Sequence, residues 1–131
     1  MPFGSGVLFA ARDSEFGREL WFSDGTFLGS RRVADLNSGI PSAIFRNEFH
    51  RTETFNGHIF FSARDGDQDS IWKTDGTEEG TEKVFEPSNT STVSSSPSEF
   101  YAIGEEIYFS ASTPDFGVEF WKSDGLSLIH I

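Results

Sequence analysis

With 21 acidic against 10 basic side chains in 131 residues, a formal net charge of −11, the chain offers no positive face for tracking a phosphate backbone, and nucleic acid is set aside as a partner. It contains no cysteine, which excludes a disulfide framework and thiolate metal sites. No apolar stretch approaches the roughly 20 residues of a membrane-spanning helix.

The opening Met1-Pro2-Phe3-Gly4-Ser5-Gly6 has no signal-peptide pattern, so an export address would lie outside this chain. Val7-Leu8-Phe9-Ala10-Ala11 follows as a strand that is apolar on both alternating faces. Glu19-Leu20-Trp21-Phe22-Ser23 is the next strand, closed by Asp24-Gly25-Thr26. Asn37-Ser38-Gly39-Ile40-Pro41-Ser42 reads as a connector.

The second period is the clearest. Phe49 to Phe55 alternates, Asn56-Gly57 is a strong hairpin signal, and His58-Ile59-Phe60-Phe61-Ser62-Ala63 resumes as a strand. Asp65 to Asp69 is a turn, Ser70-Ile71-Trp72-Lys73-Thr74 a third strand, Asp75 to Thr81 a turn, and Glu82 to Glu86 a fourth strand. Pro87 to Ser98 is a Ser/Thr/Pro-rich connector, with a glycosylation pattern at Asn89-Thr90-Ser91. Ile107-Tyr108-Phe109-Ser110-Ala111 and Glu119-Phe120-Trp121-Lys122-Ser123-Asp124-Gly125 begin a third copy, after which Leu126 to Ile131 leaves the pattern.

Trp21, Trp72 and Trp121 lie 51 and 49 residues apart, and each follows the matching Phe9, Phe61 or Phe109 by 12, 11 and 12 residues. Repetition at this period is a signature of stacked units such as propeller blades. Strands that are apolar on both faces require cover on both sides, which face-to-face stacking supplies. The fifteen Phe fit such stacking, since each aromatic buries roughly 150 to 250 Å². The expected fold is therefore all-β: β-propeller blades, about 2.5 four-stranded antiparallel meanders of ~50 residues. The expected divisions are a partial first blade with connector over 1–48 and a second blade with its connector over 49–98. A partial third blade takes 99–125, and an out-of-pattern tail 126–131. A ring needs roughly four to eight blades, so the chain reads as a fragment of a larger ring or a subunit that closes by association.

The one metal-like cluster is Asp65, Asp67 and Asp69, whose alternating carboxylates suit oxygen-ligated Ca²⁺. The twelve-residue calcium-loop pattern fails there, with Ser70 where Gly is wanted and Gly76 in place of the bidentate Glu, and a solvated acidic turn is the favoured reading. A sialidase-type Asp box fits poorly, because Trp precedes the Asp-Gly pair. Glu78-Glu79 and Glu105-Glu106 are adjacent pairs in turns, not carboxylates set across a substrate. His50, His58 and His130 have no recurring spacing, and neither a nucleophile elbow nor a phosphate loop is present. No catalytic or cofactor-binding residue is expected.

Glu19-Leu20-Trp21-Phe22-Ser23-Asp24-Gly25-Thr26, followed by Gly29-Ser30, Val33 and Asp35, resembles the bacterial ELWxxDGT repeat family. The second copy keeps Trp72, Asp75-Gly76-Thr77, Gly80-Thr81 and Val84 but has Ser70-Ile71 for Glu-Leu; the third keeps Glu119, Trp121 and Asp124-Gly125 and has Leu126 for Thr. The resemblance implies a propeller in an exported protein, hence an extracellular or cell-surface location. The expected function is a non-catalytic propeller segment acting as an interaction or adhesion scaffold. Two alternatives stay open: part of a propeller enzyme acting on polysaccharide, a glycosidase or lyase with its catalytic groups elsewhere, and a Ca²⁺-dependent surface module. Expected partners are a protein or carbohydrate ligand, and the remaining blades of a parent chain or further copies of this one.

Overall fold

The computed structural model describes residues 1–37, 42–44, 53–66, 68–85, 98–113, 117–125 and 128–130. Among them the chain forms three antiparallel sheets of four strands each. The first sheet holds β1 (Pro2–Phe3), β2 (Gly6–Asp13), β3 (Gly17–Ser23) and β4 (Arg31–Ala34) in chain order. The middle sheet holds β5 (Glu53–Phe55), β6 (His58–Asp65), β7 (Gln68–Thr74) and β8 (Glu82–Phe85), again in order. The third holds β9 (Ser98–Ile103), β10 (Glu106–Thr113), β11 (Gly117–Ser123) and β12 (Leu128–His130). The Asn56-Gly57 turn joins β5 to β6 with positive φ at both residues, 51° and 75°, the combination a type I′ hairpin requires.

Register decides which residues share a face. Phe9 pairs with Trp21, Phe61 with Trp72 and Phe109 with Trp121, so each repeated Phe-Trp couple lies on one face of its sheet. That face, called here the Trp face, carries Val7, Phe9, Ala11 and Trp21 in the first sheet, Ile59, Phe61, Ala63 and Trp72 in the middle one, and Ile107, Phe109, Ala111 and Trp121 in the third. The opposite face carries Leu8 and Leu20, then Phe60 and Ile71, then Tyr108 and Phe120.

The core is two interfaces built to one pattern. Leu8 and Leu20 pack against Ile59, Phe61, Ala63 and Trp72, with Ala10, Phe22 and Phe3 at the margin. Phe60 and Ile71, with Phe55, pack against Ile107, Phe109, Ala111 and Phe100, with Trp121 at the margin. The middle and third sheets thus each offer their Trp face to the opposite face of the sheet before. Among the described residues, the middle sheet is covered on both faces. Residues Ile59 through Ala63 of β6 are all buried, whereas β10 alternates buried Ile107, Phe109 and Ala111 with half-buried Tyr108 and Ser110.

The repeat extends to irregularities. Val33 lies between the partners of Leu20 and Trp21, and Val84 between those of Ile71 and Trp72, placing a β-bulge at the same point of β4 and β8. The connector also stitches the first interface. Ser42 Oγ accepts from the Arg18 amide at 3.0 Å, and the Ala43 and Ile44 amides donate to the Arg18 carbonyl at 3.0 and 3.2 Å. The Arg64 amide donates to the Ala43 carbonyl at 2.7 Å, and the Gly66 amide to Asn37 Oδ1 at 3.0 Å.

The propeller expected from the repeat is not what the chain forms. The three sheets are separate, and they close into neither a propeller nor a barrel. A period of about 50 residues specifies each meander and how neighbouring faces pack, but closure requires the first and last sheets to cover each other. Within the tail set apart at 126–131, Leu128, Ile129 and His130 pair with Ser123, Lys122 and Trp121 as the fourth strand of the third sheet. Phe49 to Thr52 of the expected first strand, Ser38 to Pro41 of the connector and the Asn89-Thr90-Ser91 pattern lie outside the described residues.

Candidate functional site

The most conserved geometry between repeats is the turn after the Trp strand. In the first copy Asp24 Oδ1 accepts from the Thr26 amide at 2.9 Å and from the Thr26 hydroxyl at 2.7 Å, while Thr26 Oγ1 accepts from the Gly29 amide at 3.0 Å. The second copy reproduces this, with Asp75 Oδ1 taking the Thr77 amide at 2.9 Å and its hydroxyl at 2.6 Å, and Thr77 Oγ1 taking the Gly80 amide at 3.0 Å. The Thr hydroxyl thus bridges each turn, donating to the Asp carboxylate and accepting from the Gly amide.

A second chain of hydroxyls closes the same loop. Ser30 Oγ donates to the Thr26 carbonyl at 2.6 Å and also lies 2.6 Å from Ser23 Oγ. A hydroxyl has one proton, so Ser23 must donate to Ser30, and Ser23 Oγ in turn accepts from the Gly25 amide at 3.0 Å. Gly76, Thr74, Thr81 and Thr77 form the equivalent chain. A Cβ on Gly29 or Gly80 would collide with the carboxylate of Asp24 or Asp75, which explains the glycine five residues after each Asp. Hydrogen bonds from Thr26 and Thr77 hold Asp24 and Asp75 below the ordinary Asp range. The Oδ1 atom of each carboxylate is thus engaged in the turn. In the third copy the Gly125 amide still donates to Ser123 Oγ, at 2.9 Å.

Of the metal candidates, Asp69 is buried and forms a two-pronged ion pair with Arg64, at 2.9 and 3.2 Å. Asp65 reaches Lys83 at 3.2 Å. Arg64 pairs with Asp69 across the hairpin and Asp65 with Gln68, so Asp65 and Asp69 point to opposite faces of the sheet. Asp67 lies outside the described residues. No group of three or more His, Asp or Glu suited to a metal ion occurs among the described residues. The open sheets overturn the propeller readings above, adhesion scaffold and propeller enzyme alike, and the opposite facing of Asp65 and Asp69 removes their pairing as the basis of a Ca²⁺-dependent module. A sequence pattern places carboxylates near each other along the chain, while strand alternation sends them apart.

Glu19 is a residue that sequence reasoning passed over as part of the repeat. It is fully buried, and its Oε2 accepts from the Leu36 amide at 2.8 Å while Oε1 has no partner among the described residues. Burial pushes its carboxyl up to about 7, assisted by the nearby Asp35 and opposed by the Leu36 and Asn37 amides and by Arg32.

Among the described residues, apolar side chains stay exposed on the two outer faces and at Phe27 and Leu28 of the first Asp-Gly-Thr turn. On the first sheet the Trp face leaves Val7 43% exposed, with Phe9, Ala11 and Trp21 half-buried. On the third sheet the opposite face leaves Phe120 57% and Val118 76% exposed, beside Tyr101 and Ile103. A hollow of about 370 Å³ on the third sheet is lined by Glu99, Ser110, Val118, Glu119 and Phe120. Next to this apolar area Glu106 accepts from Lys122 at 2.8 Å and from the Tyr108 hydroxyl at 2.9 Å, bonds that lower the Glu106 carboxyl below its ordinary range.

No family model matches the chain, and no curated protein or solved structure matches it. The resemblance to the ELWxxDGT repeat family thus has no counterpart in these comparisons, and the propeller description that accompanied it is withdrawn with the ring.

Proposed function

We propose that the chain is a sheet-stacking structural module, whose role is to join like four-stranded sheets face to face. The observation that supports this is the identity of its two internal interfaces: the same positions, Leu8 and Leu20 then Phe60 and Ile71, receive the same Phe-Ala-Trp face of the following sheet. Chemistry-bearing side chains serve the frame. Asp24 and Asp75 tie turns, Asp69 neutralises Arg64, and Glu106 binds Lys122.

A module of this kind transmits stability from sheet to sheet. Trp21, Trp72 and Trp121 give one reporter per sheet, and the indole N–H groups of Trp21 and Trp72 have no partner among the described residues, so Trp→Phe changes there are mild. Three variants, each retaining one Trp, are expected to show the same urea midpoint. Three separate midpoints would defeat the reading.

A further inference from the structure

Two half-interfaces are left over at the ends of the stack, and they are complementary halves of the interface that the chain builds twice. The first sheet has an open Trp face, Val7, Phe9, Ala11 and Trp21, of the kind that Ile59, Phe61, Ala63 and Trp72 bury against Leu8 and Leu20. The third sheet has an open opposite face in which Phe120 occupies the position of Leu20 and Ile71, both fully or almost fully buried, yet is 57% exposed.

A second contact repeats with the same polarity. The Phe3 ring at the end of β1 lies over Gly76 in the turn of the next sheet, and the Phe55 ring at the end of β5 lies near Gly125 in the turn of the sheet after that. The leftover halves are Ile103 at the end of β9, 64% exposed, and Gly25, around whose missing Cβ nothing approaches within 4 Å. Aliphatic residue and bare turn each lack the partner that the other supplies.

We infer that the chain self-associates head to tail, the Trp face of the first sheet of one copy docking on the Phe120 face of the third sheet of a second copy, with the Gly25 turn over Ile103. This rests on the reading of the chain as a stacking module. The interface is heterologous, since the two faces differ, so each added copy brings a fresh face of each kind and growth does not stop at a dimer. Burial of contiguous apolar surface supplies the drive.

Sedimentation velocity over a wide concentration range tests this. The native chain is expected to show a weight-average mass that rises with concentration beyond that of a dimer. Val7→Glu disables one face and Phe120→Glu the other; each variant alone is expected to be monomeric, and their equimolar mixture to form a dimer and nothing larger, through the two intact faces. Val7→Lys and Val118→Lys replace them if a glutamate variant loses its circular dichroism spectrum. A native chain monomeric throughout, continued growth by either variant, or a mixture that stays monomeric would overturn the inference. If the native chain is monomeric while its three tryptophans report one transition, self-association fails and the stacking module stands; separate transitions remove the module itself.

Discussion

Phe3 and Gly76 meet across the first interface: a β-carbon on Gly76 would stand 3.2 Å from the Phe3 ring. The glycine is required twice over, since its φ of +88° is a left-handed conformation that side chains rarely adopt. Gly25 has a similar φ of +92° with open space around it, and therefore isolates the backbone requirement from the packing one. Gly25→Ala is expected to cost about 1 kcal/mol and Gly76→Ala about 2 to 3 kcal/mol. Equal losses in urea unfolding would show that the ring contact carries no weight.

Trp72 is 9% exposed and anchors the interface between the first and middle sheets. Trp72→Ala is expected to cost about 3 to 5 kcal/mol by removing its buried ring and leaving a cavity. Trp21, at the same register position on an open face, is half-buried and is expected to cost clearly less. An unchanged urea midpoint for Trp72→Ala would contradict the packing described.

The turn supplies a coupled pair. Asp75→Ala removes the acceptor of the Thr77 amide and hydroxyl and is expected to cost about 1 kcal/mol. Gly80→Ala drives a methyl group into that same carboxylate and is expected to cost more. In the double variant the collision is absent, so the combined loss falls short of the sum, with a coupling energy of about 1 kcal/mol or more. Strict additivity would mean that the carboxylate does not sit over Gly80.

Asp24 and Asp75 contribute to the acid limb of stability. Their folded values lie below the ordinary 3.8, so what they contribute is present above that pH and is lost as pH falls through the lower folded value. Asp24→Asn with Asp75→Asn is expected to flatten the decline of the urea midpoint below that pH; a decline of unchanged steepness would assign it to other carboxylates.

Glu19 works in the other direction. Its carboxyl rises from an ordinary 4.5 to about 7 because the fold buries it, so the fold favours the protonated form. The stability this contributes is complete below the unfolded value and is lost as pH rises through about 7. Glu19→Gln keeps an acceptor for the Leu36 amide and removes the charge. It is expected to match the native protein near the unfolded value and to exceed it in mild alkali by about 1 to 3 kcal/mol. A difference independent of pH would rule out titration of Glu19 as its cause.

The strands were legible because their chemistry is local. Asn56-Gly57 specifies its hairpin, and runs such as Ile59-Phe60-Phe61 declare two covered faces that the middle sheet does bury. The same argument overreached at the ends, since Val7 and Phe120 are apolar without being covered. The fourth strand of the third sheet was hidden because Leu128 to His130 follows a shorter link than the Asp-Gly-Thr turns of the other copies, which broke the pattern while leaving backbone pairing free to continue. The connector stitch through Ser42, Ala43 and Arg18 is made largely of main-chain groups, on which side-chain identity is silent. Carboxylate spacing misled at Asp65 and Asp69 because alternation, not proximity in sequence, decides which side chains can share a ligand.

The outermost strands bear on how such a chain avoids edge-to-edge strand pairing between copies. Among the described residues β1 has two and begins at Pro2, β5 and β12 have three, and β4 and β8 have four. β9, at six, is interrupted opposite Phe109, where Glu99 takes a φ of +57°. Ladders this short or broken are poor templates for a further strand. Cross-β growth, which needs long straight borders, is thereby disfavoured at these edges even in a protein rich in phenylalanine.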